Sequence, residues 1–409
     1  MADDFSLLAH RPFRNYWLGR VSSVMSNNIL AVAIGLQMYD LTSSAMDLGL
    51  VGLFQFLPAL LFTLVVGQVA DRFDRRRLLG LCLLLQVLVV GALFAGTLGH
   101  WLTREVLFIA SFLIGTAKAF QMPTQQALAP LVVPPEVLPR ALATSSSGVQ
   151  FAIITSPALG GWLCVAGAEF AYAFCAALGL LSIIAFQRVE ARPQVVLREP
   201  VSLRNLFAGV DFIWHRKAVL GAISLDLFAV LLGGATALLP IFARDILLVG
   251  PLGLGLLRSA PAAGALLTSL WLARHPVKRR AGKIMFASVA VYGIATLVFA
   301  FSESFMLSLV ALAISGAGDM VSVVIRQSLV QLETPDDMRG RVSAVNSIFI
   351  GASNQLGEFE SGVTAHWWGA VTSVAVGSVG TLLVVATWMG AFPELRKRET
   401  LQGGQTGQT

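Results

Sequence analysis

Lys118, Asp226, Asp319 and Glu358 lie inside apolar runs of about twenty residues, where each charge costs about 2.5–3.5 kcal/mol at the centre of a bilayer-spanning helix. Charges kept at that expense carry chemistry or pair with one another. Asp226 falls about nine residues into its run, about 14 Å deep at 1.5 Å per residue and close to the middle of the hydrocarbon. A carboxylate there can take up and release a proton, and Asp319 and Glu358 offer the same chemistry. Glu358 and Glu360 point about 200° apart on a helix and form no carboxylate pair, whereas Asn354, Glu358 and Ser361 share one face that favours Glu358 for a solute path. Lys118 can hold an anionic solute or neutralise a carboxylate. Asn27, Asn28 and Gln121, with Arg20, Gln125 and Gln126, offer hydrogen bonds to a polar solute or to neighbouring helices.

The elements that must position these groups follow from composition. The 409 residues are 56% hydrophobic and 13% charged, with a mean hydropathy of +0.75, which is too much apolar surface for soluble domains to hide. The apolar runs have the length of transmembrane helices and lack the short alternation of an outer-membrane barrel. An all-α membrane protein is expected, with spans near 17–40, 47–70, 78–98, 105–126, 142–166 and 168–186, then 217–241, 250–273, 282–302, 305–326, 342–365 and 368–391.

Twelve spans in two six-helix halves divide the chain into residues 1–186, a linker at 187–216, residues 217–391 and a tail at 392–409. With the N-terminus inside, about 25 of the 29 basic residues are cytoplasmic, so the net charge of +6 is topological and does not call for nucleic acid. Leu203, Leu206, Phe207, Val210, Phe212, Ile213 and Trp214 suggest an amphipathic linker helix at the inner membrane surface. Cys82, Cys164 and Cys175 lie in apolar runs without CxxC spacing, so no thiolate metal site or disulfide framework is expected.

An internal duplication supports the two halves. Gly115, Gln126, Leu128, Pro134, Arg140, Ala143 and Gly161 recur 201 residues later as Gly316, Gln327, Leu329, Pro335, Arg341, Ala344 and Gly362. The same offset relates Lys118 to Asp319. Parallel halves of this kind are a known transporter arrangement.

The loop after the second span reads Gly67-Gln-Val-Ala-Asp71-Arg72-Phe-Asp74-Arg75-Arg76-Arg77. It resembles the signature G-x-x-x-D-R-x-G-R-R/K of the major facilitator superfamily, with Asp74 where that family usually has Gly. The resemblance implies a conformational gate formed by Gly67, Asp71, Arg72 and Arg76. It also implies a fold in which helices 1, 4, 7 and 10 line a central cavity, so that Lys118 and Asp319 would face a common solute. The linker Leu203-Arg-Asn-Leu-Phe-Ala-Gly209 and Thr334-Pro335-Asp-Asp-Met-Arg-Gly340-Arg341 are similar to the drug and siderophore exporter branch, which includes enterobactin exporters and macrolide efflux proteins. Ser156-Pro157-Ala-Leu-Gly160-Gly161 resembles the antiporter motif G-P-x-x-G-G, with Ser156 for the first Gly.

The expectation is therefore a secondary active transporter that exports a small amphiphilic, drug- or siderophore-like solute by proton-coupled alternating access. An importer or uniporter of the same fold is the alternative. No cofactor or metal is expected, since P-loop, HExxH and GxSxG patterns are absent. The remaining enzyme reading is an intramembrane aspartyl protease, from Gly316-Ala-Gly318-Asp319 with Tyr39-Asp40. It suffers from Asp40 lying at the outer edge of its span and Asp319 in the inner third of another. The expected partners are the solute, protons and the lipid bilayer, for a monomer in the inner membrane with both termini cytoplasmic.

Overall fold

The computed structural model describes residues 7–190, 210–277, 279–335 and 338–400, and these are helical almost throughout, with no strand among them. In lipid every backbone N–H and C=O must be satisfied within the segment, which is what an α-helix does. The helices are α1 (Arg11–Thr42), α2 (Ala45–Arg72), α3 (Arg75–Leu98), α4 (Arg104–Leu128), α5 (Leu138–Ala166), α6 (Ala168–Gln187), α7 (Lys217–Leu232), α8 (Gly250–Arg274), α9 (Ala281–Ala300), α10 (Phe305–Glu333), α11 (Arg339–Trp368), α12 (Ala370–Ala391) and the short α13 (Pro393–Arg396). Among the described residues, 11 helical segments are long and apolar enough to cross a membrane, α7 being counted together with the turns that continue it to Ile246. α11, at 30 residues, has the length but is diluted by Asn346, Asn354, Gln355, Glu358 and Glu360. Large apolar side chains stand exposed on the spans, such as Leu81, Leu88, Leu267 and Leu383, each more than 60% accessible. These surfaces are those that lipid would cover.

The chain forms two compact units: Met1–Ser43 with Leu50–Val201 and Val249–Ser259, and Ser44–Gly49 with Ser202–Leu248 and Ala260–Thr409. In the first, Phe13, Tyr16, Leu79, Leu83, Leu128 and Phe186 form a core between α1, α3, α4 and α6. In the second, Leu225, Met285, Phe286, Ile325, Leu329 and Leu395 join α7, α9, α10 and α13.

The duplication visible in the sequence is a duplication of contacts. In the first unit a methyl on Gly115 of α4 would sit 2.8 Å from the Gln55 carbonyl carbon of α2, and in the second a methyl on Gly316 of α10 would sit 2.6 Å from the Pro261 Cα of α8. Likewise Gly161 of α5 abuts Gly255 of α8 in the first unit, and Gly362 of α11 abuts Gly49 of α2 in the second. Small residues let the backbones approach, and dispersion then does the work that the hydrophobic effect does in water. The hinges also repeat. Gly167 between α5 and α6 has φ +138°, and Gly369 between α11 and α12 has φ +83°, a region that side chains with a Cβ rarely enter.

A single substitution tests this packing. Gly115→Val is expected to lose most of the folded protein, because overpacking costs about 1–3 kcal/mol or more and rigid backbone is what must yield. Gly91→Val should keep the wild-type yield, since no atom lies within 4 Å of the added carbon. Size-exclusion profiles of detergent-extracted protein compare the two, and equal yields would show that the α2–α4 contact is loose.

Two departures from the expected spans bear on the site. α10 runs to Glu333, seven residues beyond the apolar run expected at 305–326. α7 stops at Leu232 and does not continue to 241: after Gly233-Gly234 the chain passes through a 3₁₀ turn (Ala235–Leu238) and a short π segment (Phe242–Ile246). Of the expected linker helix, residues 210–215 are helical, and residues 203–209 lie outside the described residues. Ile213 packs with Val219, Ile223, Val330 and Val342, with Phe212 against that cluster, while Trp214 is exposed. Its apolar side chains are thus divided between the protein core and the surface.

Candidate functional site

Within the second unit, α7 presents Asp226 and α10 presents Arg326. The two are 6% and 2% accessible and form an ion pair. Asp226 is therefore not the isolated carboxylate suggested by its run. Arg326 fell at the edge of the expected span, and only the extension of α10 to Glu333 carries it inside. Removing one partner of such a pair strands the other charge in low dielectric, at about 3–5 kcal/mol. The Nε of Arg326 is buried without a hydrogen-bond partner, so Asp226 carries most of the burden of neutralising this cation.

Asp319 stands fifteenth of the 29 residues of α10, at the middle of the helix and not in its inner third, again because the helix is longer than its apolar run. With Ser322 and Arg326 it shares a face at i, i+3 and i+7. It is half-buried and forms no ion pair with another described residue. Its electrostatic neighbour is Tyr292 of α9, and Gly318 beside it packs against the Tyr292 backbone.

Tyr292 connects Asp319 to the break in α7. Its hydroxyl donates to the Gly233 carbonyl at 2.9 Å, one of the acceptors that a helix end leaves open. On the other side, a methyl on Gly234 would fall 2.6 Å from the Gly357 oxygen and 2.8 Å from Ser361 Oγ of α11. The backbone next to Glu358 therefore rests on the same break. Glu358 and Glu360 are half-buried, Asn354 is exposed and donates to its own helix at Ile350, and Ser361 is buried. The three residues expected to share one solute-facing side thus differ in environment. Around Gly233-Gly234 the fold gathers Asp319 through Tyr292, and the Glu358 segment through Gly357. Interrupted helices of this kind are where transporters place binding sites.

In the first unit, Lys118 of α4 is half-buried and its Nζ donates to Gln55 Oε1 of α2 at 3.2 Å. Gln121 is 4% accessible. It accepts from Gln86 of α3 at 3.2 Å and donates to Ser23 of α1, so this expected solute contact ties three helices together. Asn27 and Asn28 donate to Ser23 and Val24 of their own helix at 3.0 and 2.9 Å. The cavity beside Ser23, Asn27 and Gln86 holds only about 10 Å³, room for roughly one water. Arg20 donates to Ser145 at 2.9 Å, and Arg258 of α8, within 3.4 Å of the Ala31 carbonyl, is a second intramembrane cation without prior assignment.

At the α2–α3 loop, Gly67, Asp71 and Arg72 belong to the last turns of α2, and their side chains lie outside the described residues. Asp74 explains the departure from the signature glycine: its Oδ1 accepts from the backbone N–H groups of Arg76 and Arg77 at 3.0 Å each, capping α3. Arg76 donates to the Val189 carbonyl at 3.1 Å and Arg75 to that of Ala127 at 2.9 Å. These arginines brace helix ends.

The family model described as Major Facilitator Superfamily matches residues 16–357. The chain belongs to the Major Facilitator Superfamily. It is accordingly a multi-pass membrane transporter. Among its curated relatives in the superfamily, the enterobactin exporter EntS of Citrobacter koseri is 25% identical over 396 residues, covering 96% of this chain and 94% of the relative. The protein of the same name from Escherichia coli O157:H7 is 25% identical with the same coverage. Solved superfamily-like folds include a bacterial homologue of the iron transporter ferroportin in an inward-facing state (TM-score 0.73, 18% identity, 96% of this chain and 100% of that one). Another is a bacterial homologue of the human lysosomal transporter Spinster (TM-score 0.74, 13% identity, 93% and 96%). At those identities the structures establish the fold.

Sequence reasoning missed Arg326, Arg258 and Tyr292. Arg326 had a usable signal: the 201-residue offset pairs it with Gln125, itself buried, and it lies two turns from Asp319 on one face. Tyr292 had none, since a tyrosine in an apolar run reads as packing.

Proposed function

We propose that this transporter is a proton-coupled exporter of a small amphiphilic, siderophore- or drug-like solute. It works by alternating access, as a monomer in the inner membrane with both termini in the cytoplasm. The observation that carries the reading is Asp319: a carboxylate at the middle of α10, beside Tyr292 and the break in α7, without an ion pair among the described residues. A proton site must empty and fill during each cycle, and a carboxylate tied to a buried arginine, as Asp226 is, is poorly placed to do so. Glu358 is the second candidate for the proton. Lys118, held by Gln55, is the group for an anionic part of the solute. The exporter relatives support the direction. Gly67, Asp71, Arg72 and Arg76 form the gate in this reading, with Asp71 stabilising one conformation of the loop.

Inside-out vesicles containing the protein test the proposal. Candidate siderophores and amphiphilic drugs are expected to accumulate when a pH gradient is imposed and to leak out on addition of a protonophore. Asp71→Asn should depress accumulation while the amount of folded protein in the membrane stays the same. Equal uptake with and without the gradient would replace the exporter by a uniporter, and full activity of Asp71→Asn would reduce the loop to a topology signal.

A further inference from the structure

The first unit carries a basic cleft unrelated to the buried carboxylates. It has a volume of about 410 Å³ and is lined by Arg11, Arg14 and Asn15 of α1, Arg76 of α3, and Arg188 and Glu190 just after α6. Four guanidinium groups and one carboxylate leave an excess of three positive charges. Arg11, Arg14 and Arg188 are exposed and form no ion pair with another described residue. The carboxylate near Arg76 is Asp74, at 3.9 Å, which is already engaged in capping α3.

The cleft is built and not a loose gathering of side chains. Asn15 donates to the Arg188 carbonyl at 3.0 Å, and Arg76 to the Val189 carbonyl at 3.1 Å. These two bonds pin the chain leaving α6 against the starts of α1 and α3. Val189 is fully buried beneath it. Guanidinium groups on a fixed frame suit the oxygens of a phosphate, which they can grip in pairs.

Three spans end at this cleft, so it lies at the level of lipid headgroups. Immediately inward, α3 exposes Leu81, Leu84 and Leu88, and α6 exposes Leu181 and Ile184, each 44–64% accessible. A cationic cleft at the ends of helices that expose apolar side chains along their lengths matches a molecule with a phosphate at one end and hydrocarbon at the other. We infer that the cleft formed by Arg11, Arg14, Arg76 and Arg188 binds the phosphodiester headgroup of an anionic phospholipid. Its acyl chains lie along the exposed faces of α3 and α6. The inference does not depend on which solute is transported.

Native mass spectrometry of the full-length protein, released from detergent with defined lipids, tests it. Phosphatidylglycerol is the probe, phosphatidylcholine the zwitterionic control and glycerol 3-phosphate the water-soluble source of the same chemistry. Wild-type protein is expected to retain phosphatidylglycerol over phosphatidylcholine. Each arginine removed should weaken that binding about fivefold, so Arg14→Gln with Arg188→Gln weakens it about twenty-five-fold. A charge-matched pair away from the cleft, Arg274→Gln with Arg279→Gln, should leave retention unchanged. Because both cleft positions are exposed, folding should survive; Arg11→Gln alone gives the single-step effect if it does not. Equal losses in the two double variants would reduce the effect to general charge and overturn the site. Tight binding of glycerol 3-phosphate without a preference for phosphatidylglycerol would overturn the lipid as its occupant.

Discussion

Arg326→Ala is expected to leave little folded transporter, because it strands the Asp226 carboxylate in the interior of α7 with its countercharge gone. The penalty for breaking a buried pair is about 3–5 kcal/mol, a large fraction of the roughly 5–15 kcal/mol by which folded proteins are stable. Asp226→Asn should be nearly as damaging, since Arg326 is 2% accessible, pairs with Asp226, and has an Nε already without a hydrogen-bond partner among the described residues. Removing both charges together, as Asp226→Leu with Arg326→Met, should restore folding, as apolar side chains of similar volume often replace a buried pair without loss. Thermal unfolding in detergent measures all three. Wild-type stability of Arg326→Ala would show that water reaches the pair. The neutral double variant also separates structure from transport. If it folds and still pumps against a gradient, Asp226 carries no coupled proton.

Asp319→Asn is expected to do the opposite: normal folded protein, near-complete loss of gradient-driven efflux, and solute binding retained. Asparagine keeps the size and hydrogen bonding of the protonated acid but cannot release the proton. Asp319 has no described ion pair to break, so the folded state loses little. The decisive comparison is between active efflux from a pH gradient and passive counterflow of labelled solute in the same vesicles. Counterflow should persist in the mutant while active efflux does not. Wild-type efflux in Asp319→Asn would move the proton site to Glu358, with Glu358→Gln as the next variant, and wild-type efflux in both would end the proton-coupled reading.

The architecture was legible in the sequence because a bilayer imposes a length. A helix must supply about twenty apolar residues to cross it, so spans such as 105–126 and 250–273 can be summed from side-chain transfer energies without knowing what each residue touches. α4 and α8 begin and end within two residues of those limits. The duplication was legible for a related reason: Gly115 and Gly316, like Gly161 and Gly362, recur because the same backbone-to-backbone approach is made twice. Lys118 and Asp319 stood out because a charge in such a run is costly wherever it points. What a window of hydropathy averages away is direction. Whether Asp226 meets a cation or a solute depends on how α7 and α10 are rotated about their axes, and its partner lies 100 residues along the chain at the polar end of an apolar run. The break in α7 depends on Tyr292 and Ser361 being supplied from α9 and α11 to satisfy and pack against Gly233-Gly234. Gln121 became a tie between helices because Gln86 and Ser23 are in reach. These outcomes were decided by tertiary structure alone, since a buried polar group takes its role from the partner that desolvation forces it to find.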